Sequence, residues 1–301
     1  MFWLTWRQHR MQVLVTAALL LGGGVFLLVH GLRNADMVAA LPADPGERER
    51  IMGERFRPVY QVLTWLPWAP LLVGLFWGAP VVAREYERGT YRLAWTQSVT
   101  RHRWLVTKLA WLGLLAALAG LAVGMMVDAW LATFADTRFA DRFGNPTVFG
   151  STGVVSGAWW LFAFMLGAAT GAVLRRLLPA MAVTVAVFTG LLFGVIGFGR
   201  DLYAEPVRIA GGFDEVPRDA MVEEYGWVSP DGTEYLTADL PVCQSAGRTE
   251  YLDCLAEERF SQAIYLHPAD RYWRFQWTET ALLLVVTAAL AAAAGYRVTR
   301  R

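Results

Sequence analysis

The stretch AMAVTVAVFTGLLFGVIGFG, residues 180–199, runs for twenty residues without a charged side chain. An α-helix rises about 1.5 Å per residue, so about twenty apolar residues cross the roughly 30 Å hydrocarbon core of a bilayer. A charged side chain at the middle of such a helix costs about 2.5–3.5 kcal/mol on insertion. The stretch therefore predicts a transmembrane helix.

Five further apolar runs, almost free of charged residues, lie on either side of this stretch along the chain. They cover residues 11–31, 62–83, 104–130, 153–174 and 277–296. With 55% hydrophobic residues in a chain of 301, they predict six spans rather than a soluble bundle of buried helices. The run at the N-terminus is longer than the roughly 7–15 residues of a signal-peptide core, so we expect it to be a retained helix. The predicted fold class is an all-α integral membrane protein.

Arg and Lys near the ends of the spans concentrate in alternate connections. The two termini and the second-to-third and fourth-to-fifth connections carry thirteen of them, against two acids, Glu85 and Glu87. Short loops rich in Arg and Lys stay on the cytoplasmic side. We therefore expect a multi-pass protein of the cell (plasma) membrane with both termini in the cytoplasm. Nucleic-acid binding has no support, because no basic domain exists beyond the arginines that flank the membrane.

Two connections on the opposite face are long. The first, residues 32–61, is expected to be a charged outer connection, and the second, residues 200–276, is long enough for a small domain. In the second, YGWVSPDGTEYL (residues 225–236) predicts a hairpin, because β-prone residues flank Pro230-Asp231-Gly232. The sequence thus predicts a small extracellular α/β insertion at 200–276, between residues 1–199 with five spans and residues 277–301 with the sixth span and a basic tail.

The only two cysteines of the chain, Cys243 and Cys254, both lie in this insertion. An oxidising exterior favours a disulfide, and closing so short a loop stabilises the fold by about 2–3 kcal/mol. A metal site is less favoured, since histidine is scarce nearby. Two unpaired thiols remain the alternative to a disulfide.

The segment HPADRYWRFQWTET, residues 267–280, precedes the last span and alternates aromatic with basic side chains. It predicts either a short helix or re-entrant turn in the outer interface or a simple aromatic anchor.

Sequence motifs for catalysis are missing. A phosphate-binding loop of the G-x-x-x-x-G-K-[ST] type requires a lysine after glycine, and the single lysine, Lys108, follows Thr107. Neither H-E-x-x-H nor G-x-S-x-G occurs. We therefore expect no enzyme activity and no bound cofactor. Asp128 lies in the third predicted span and is an intramembrane polar candidate, although it could simply reach interfacial water beside Trp130.

The cytoplasmic stretch REYERGTYRLAWTQSVTRHRWLVTK, residues 84–108, is the most informative part of the chain. Gly89-Thr90 would end the preceding helix, and the Thr90 hydroxyl could cap a new helix. A short helix could then lie flat on the inner surface, or the connection could simply be solvated.

The pattern E-x-E-x-G-T, followed by a short apolar helix, a basic pair and a lysine, resembles permease subunits of type-2 ATP-binding-cassette (ABC) exporters. WLTWRQHR (residues 3–10) and the segment 267–280 resemble actinobacterial members of that class. The resemblance implies a coupling helix near residues 85–98 that docks on a separate ATPase subunit. The coupling residues it implies are Glu85, Glu87, Gly89, Thr90, Arg92, Trp95 and Gln97.

The same resemblance implies an interfacial elbow helix around Trp3 and Trp6. It implies as partners two copies of an ABC ATPase subunit, which bind ATP and Mg, and a second permease copy or a paralogue. The rival interpretation is a membrane sensory or assembly protein whose acidic outer domain binds a ligand.

Overall fold

A computed structural model describes residues 2–89, 100–134, 141–212, 215–236, 240, 242–243 and 248–300. Six of its helical segments are long and apolar enough to cross a membrane: His9–Ala39, Gly46–Glu87, Arg101–Ala132, Val155–Leu174, Leu177–Tyr203 and Ala269–Thr299. These six spans, with a small sheet after the fifth, confirm the predicted fold class. We call the membrane face that carries the sheet the sheet side. The opposite face, which carries Gly89 and both ends of the chain, is the terminal side.

The helices have the following bounds in chain order: α1 Phe2–Ala39, α2 Pro45–Trp65, α3 Ala69–Val73, α4 Ala79–Glu87, α5 Arg101–Ala132, α6 Pro146–Phe149, α7 Val155–Leu174, α8 Leu177–Gly194, α9 Arg248–Glu257 and α10 Tyr272–Thr299. The turns Leu66–Trp68 and Gly74–Gly78 join α2, α3 and α4 into the second span. The turns Val195–Gly199 and Arg200–Tyr203 extend α8 to the sheet side.

Most of the expected outer connection at 32–61 is helical. α1 continues to Ala39, and α2 begins at Pro45. The Asp44 carboxylate accepts a hydrogen bond from the Glu47 N–H at 2.7 Å, and proline is favoured at a first helical position. A polar helix therefore extends the second span beyond the membrane, where hydropathy does not reveal it.

The expected elbow helix is also continuous with the first span. Trp3 and Trp6 fall in the first turns of α1, which runs unbroken from Phe2 to Ala39. No proline or glycine lies between Trp6 and the apolar run, so nothing in the sequence interrupts the helix there.

The fourth span lies at the centre of the bundle, with 78% of its apolar window buried against 0% for the first span. Glycines allow the backbone of the fourth span to approach the backbones of neighbouring spans closely. A Cβ atom on Gly167 would lie 2.1 Å from the Gly74 carbonyl oxygen, and one on Gly124 would lie 2.6 Å from that of Gly153. Gly190, in contrast, has open space around its Cα. The pairs Gly120/Gly124 and Gly167/Gly171, each spaced as G-x-x-x-G, thus pack within the chain.

Four antiparallel strands form the sheet in the order β1-β4-β2-β3. Their bounds are β1 Val207–Ala210, β2 Met221–Val228, β3 Glu234–Leu236 and β4 Ser261–His267. β2 and β3 form the predicted hairpin, and its turn holds Gly232 at φ +88°. The side-chain oxygen of Asp231 accepts the Thr233 N–H at 3.1 Å and stabilises this turn.

The two cysteines form a disulfide in the structure, with Cα atoms 6.0 Å apart. The bond joins Cys243 to Cys254 in α9, beside the sheet. The segment 267–280 forms neither a separate helix nor a re-entrant turn. After β4 a single turn, Ala269–Arg271, leads directly into α10, where Trp273 and Trp277 are exposed as an aromatic anchor would be.

Candidate functional site

The predicted coupling segment begins at the terminal-side end of the second span. Glu85 and Glu87 lie in the last turn of α4, and Gly89 follows at φ +67°, a conformation that ends the helix and favours glycine. The other implied coupling residues, Thr90, Arg92, Trp95 and Gln97, lie outside the described residues. The next described residue is Thr100, whose hydroxyl accepts the Arg103 N–H at 3.3 Å and caps α5.

Glu85 is paired with the only lysine of the chain. The Lys108 ammonium donates a hydrogen bond to the Glu85 carboxylate, and only 5% of the lysine side chain is exposed. The same nitrogen lies 4.7 Å from the centroid of the Trp104 ring. A buried ammonium is costly unless it is paired, so this contact binds the end of the second span to the start of the third.

Glu87 reaches the turn between the fourth and fifth spans. Its carboxylate accepts the backbone N–H of Leu177 at 2.8 Å, at the first residue of α8. A negative charge at a helix N-terminus is favourable, because the first N–H groups have no partner within the helix. Beside it, the Arg175 guanidinium carbon lies 4.7 Å from the Tyr86 ring centroid. The second span is therefore attached to the fifth as well as to the third.

The first span covers the same region. The Gln12 amide donates to the Phe76 carbonyl at 2.7 Å, and His9 lies 2.6 Å from the Gln12 side-chain oxygen. His9 and Gln12 border a cleft of about 280 Å³ that is also lined by Pro80, Val81, Arg84, Glu85 and Arg88. Glu85 therefore lies where the first, second and third spans meet, and Glu87 contacts the start of the fifth span.

Asp128 lies at the sheet-side end of the third span and is engaged within the protein. One carboxylate oxygen accepts the Gly153 N–H at 2.9 Å, and the other lies 3.6 Å from a guanidinium nitrogen of Arg142. The Arg142 guanidinium carbon lies 4.3 Å from the Tyr272 ring centroid. Asp128 thus connects the third span to the loop before the fourth and, through Arg142, to the sixth.

A second acid lies close to this loop. The Gly144 N–H donates to the Asp141 carboxylate, and the Arg142 N–H donates to Asp219 at 3.3 Å. Burial, together with the negative charge of Asp219, raises the pKa of Asp141 to about 7. This contact joins the third-to-fourth connection to the segment that precedes β2.

An ion pair between two almost fully buried side chains of the fifth and sixth spans was missed by the sequence analysis. The Arg200 guanidinium contacts both oxygens of Glu279 at 2.9 and 3.2 Å, and these side chains are only 2% and 1% exposed. The Trp159 indole donates to the same carboxylate at 2.7 Å, and Arg200 also donates to the Pro146 carbonyl. The sequence nevertheless contained a sign of this pair. Glu279 lies inside the predicted span 277–296, and Arg200 directly follows the predicted span 180–199.

A family model described as ABC-2 membrane transporter related matches residues 11–200, which is more than half of the chain. The match covers the first five spans and ends before the sheet. It confirms the resemblance to type-2 permeases. No curated protein and no solved structure matches the chain.

Proposed function

This chain belongs to the ABC-2 membrane transporter related family, and we propose that it is the permease subunit of an ABC exporter. The family match supports a membrane-spanning transport subunit that is not itself the ATPase. Two ATPase subunits would bind ATP and Mg, and a second permease copy or a paralogue would complete the pathway. The sheet side would face the cell exterior, and both termini would lie in the cytoplasm.

The match to residues 11–200 carries this proposal, because it includes the whole predicted coupling segment. The contacts around that segment supply a mechanism. Glu85 joins the segment to the third span through Lys108, and Glu87 joins it to the fifth through Leu177. A push from an ATPase on residues 90–99 would therefore reach two further spans through these contacts. Glu85 and Glu87 act as positioning residues, whereas the direct ATPase contacts fall on the residues that follow Gly89.

The proposal predicts that an ABC ATPase is encoded beside this gene, and co-purification of the two proteins is its test. Gly89→Pro is expected to reduce ATPase association, because proline cannot adopt φ +67°. Glu87→Arg is expected to reduce association or transport, because it removes the cap of Leu177 and adds a positive charge at a helix N-terminus. Gly232→Pro is the matched control, since Gly232 also has positive φ but lies on the sheet side.

The outcomes separate the proposal from its rival. An ATPase that co-purifies with the unmodified chain, and binds the Gly89→Pro variant less well than the Gly232→Pro variant, supports the exporter subunit. ATPase binding that is unchanged by both Gly89→Pro and Glu87→Arg contradicts the assigned coupling segment. A histidine kinase or cell-wall enzyme in place of the ATPase would instead favour the sensory or assembly protein.

A further inference from the structure

A charged cleft of about 670 Å³ lies between the sheet-side ends of the fifth and sixth spans. Two acids, Asp201 and Glu205, line it together with two arginines, Arg271 and Arg274. The apolar side chain of Leu202 lies at its border and is 87% exposed. The cleft lies outside the coupling segment, and none of the contacts described above uses its four charges.

The cleft lies at the level where lipid headgroups lie in a bilayer. The fifth span ends at Tyr203 and the sixth begins at Ala269, so the four charged residues lie where the hydrocarbon layer meets water. Phe198 lies one turn below Leu202 and is 76% exposed, and Trp277 follows Arg274 and is 59% exposed. Apolar and aromatic side chains exposed at this level of a span face lipid. The cleft therefore opens toward the bilayer as well as toward water.

The two arginines are oriented by neutral groups and not by the acids. Arg271 donates to the Glu205 backbone carbonyl and lies 3.1 Å from the His267 ring nitrogen, whereas Arg274 donates to the Tyr203 carbonyl at 3.4 Å. Within the described part of the chain, neither guanidinium forms an ion pair with Asp201 or Glu205. Charges of both signs thus border one cleft without forming ion pairs with each other.

We propose that this cleft binds the headgroup of a phospholipid that carries both a phosphate and a primary ammonium group, as phosphatidylethanolamine does. Guanidinium groups bind phosphate oxygens through paired N–H donors, which assigns the phosphate to Arg271 and Arg274. An ammonium group has three donors and no acceptor, which assigns it to the carboxylates of Asp201 and Glu205. The acyl chains would lie along the exposed apolar side chains of Phe198 and Trp277.

Lipid retention by the full-length protein in nanodiscs tests this site. The nanodiscs contain equal amounts of phosphatidylethanolamine and phosphatidylglycerol, and native mass spectrometry counts the lipids that remain bound. The unmodified protein should retain phosphatidylethanolamine in excess, because phosphatidylglycerol offers the carboxylates no ammonium. Arg274→Gln should lower the retention of both lipids by about three- to tenfold, because both carry the phosphate. Asp201→Asn should lower only that of phosphatidylethanolamine.

Two substitutions serve as matched controls. Arg297→Gln removes an exposed arginine from the other end of α10, and Asp270→Asn removes an exposed acid that does not line the cleft. Neither should change lipid retention. The proposal is overturned if the unmodified protein shows no preference between the two lipids, which needs no variant to fold. Equal retention by the Arg274→Gln and Arg297→Gln variants would overturn it too, as would an equal loss of both lipids in Asp201→Asn.

Discussion

At the scale of single residues, two buried ion pairs join residues that are distant in sequence. Lys108 lies 23 residues from Glu85, and Arg200 lies 79 residues from Glu279. Removing one member of such a pair would leave an uncompensated buried charge, at a cost of about 3–5 kcal/mol. The pairs therefore fix which spans lie side by side.

The sequence indicated the importance of residues 84–89 but not their partners. Glu85 and Glu87 are the only acids in the basic connections of one membrane face, and the sequence alone shows this. Their partners are a lysine in the next span and a backbone N–H in the turn after the fourth. They become neighbours because α7 packs against both the second and the third spans and α8 packs against α4, which no local pattern encodes.

Replacing Asp141 by Asn should stabilise the protein more at pH 8 than at pH 5. The pKa of Asp141 is raised from 3.8 to about 7 by burial and by Asp219. Between these values the folded protein retains a proton that the unfolded chain releases, so stability is lost as the pH rises through this window. Asn cannot ionise and avoids that loss. Thermal unfolding at the two pH values measures the difference.

Asp270→Asn is the control for this prediction, because Asp270 is exposed. It should leave the unfolding temperature unchanged at both pH values. An equal shift for Asp141→Asn at pH 5 and pH 8 would show that titration of Asp141 does not contribute to stability.

At the scale of elements, hydropathy located all six spans because burial in lipid acts on every residue of a crossing helix. Hydropathy did not reveal that most of 32–61 is helical, because this part lies beyond the apolar runs. The start of α2 is specified by Asp44 and Pro45 instead. Hydropathy also could not tell which small-residue pairs pack inside the chain. Gly167 and Gly190 look alike in sequence, yet only the first touches another backbone.

Gly167→Ala should lower the thermal stability, whereas Gly190→Ala should not. A Cβ atom at position 167 would lie 2.1 Å from the Gly74 carbonyl oxygen, and that backbone atom cannot move away cheaply. Overpacking of this kind costs about 1–3 kcal/mol. At position 190 the added methyl group meets open space and alanine favours the helix. Thermal unfolding in detergent compares the two variants, and equal unfolding temperatures would contradict the close crossing.

At the scale of the whole molecule, the two cysteines report both the disulfide and the orientation of the chain. They are the only cysteines present, and both lie on the sheet side. On intact cells, a membrane-impermeant maleimide should label neither cysteine before reduction and both after treatment with an impermeant reductant. A mass shift on a gel measures the number of labels.

The two failures of this labelling experiment have different meanings. Labelling without reduction would show that the thiols are unpaired. Labelling that requires permeabilised cells would place the sheet in the cytoplasm, and the proposed orientation, with residues 90–99 on the ATPase side, would then be reversed.

The uneven burial of the spans has a consequence for biosynthesis. α1 packs mainly against α5, and the apolar window of the first span is 0% buried. A ribosome makes the chain from its N-terminus, so α1 enters the bilayer well before α5 exists. During that interval lipid is its main solvent, and its length and apolarity must hold it in place unaided. The first span must therefore be stable in the bilayer without its partner. The fourth span, in contrast, is made after the second and third spans that it packs against.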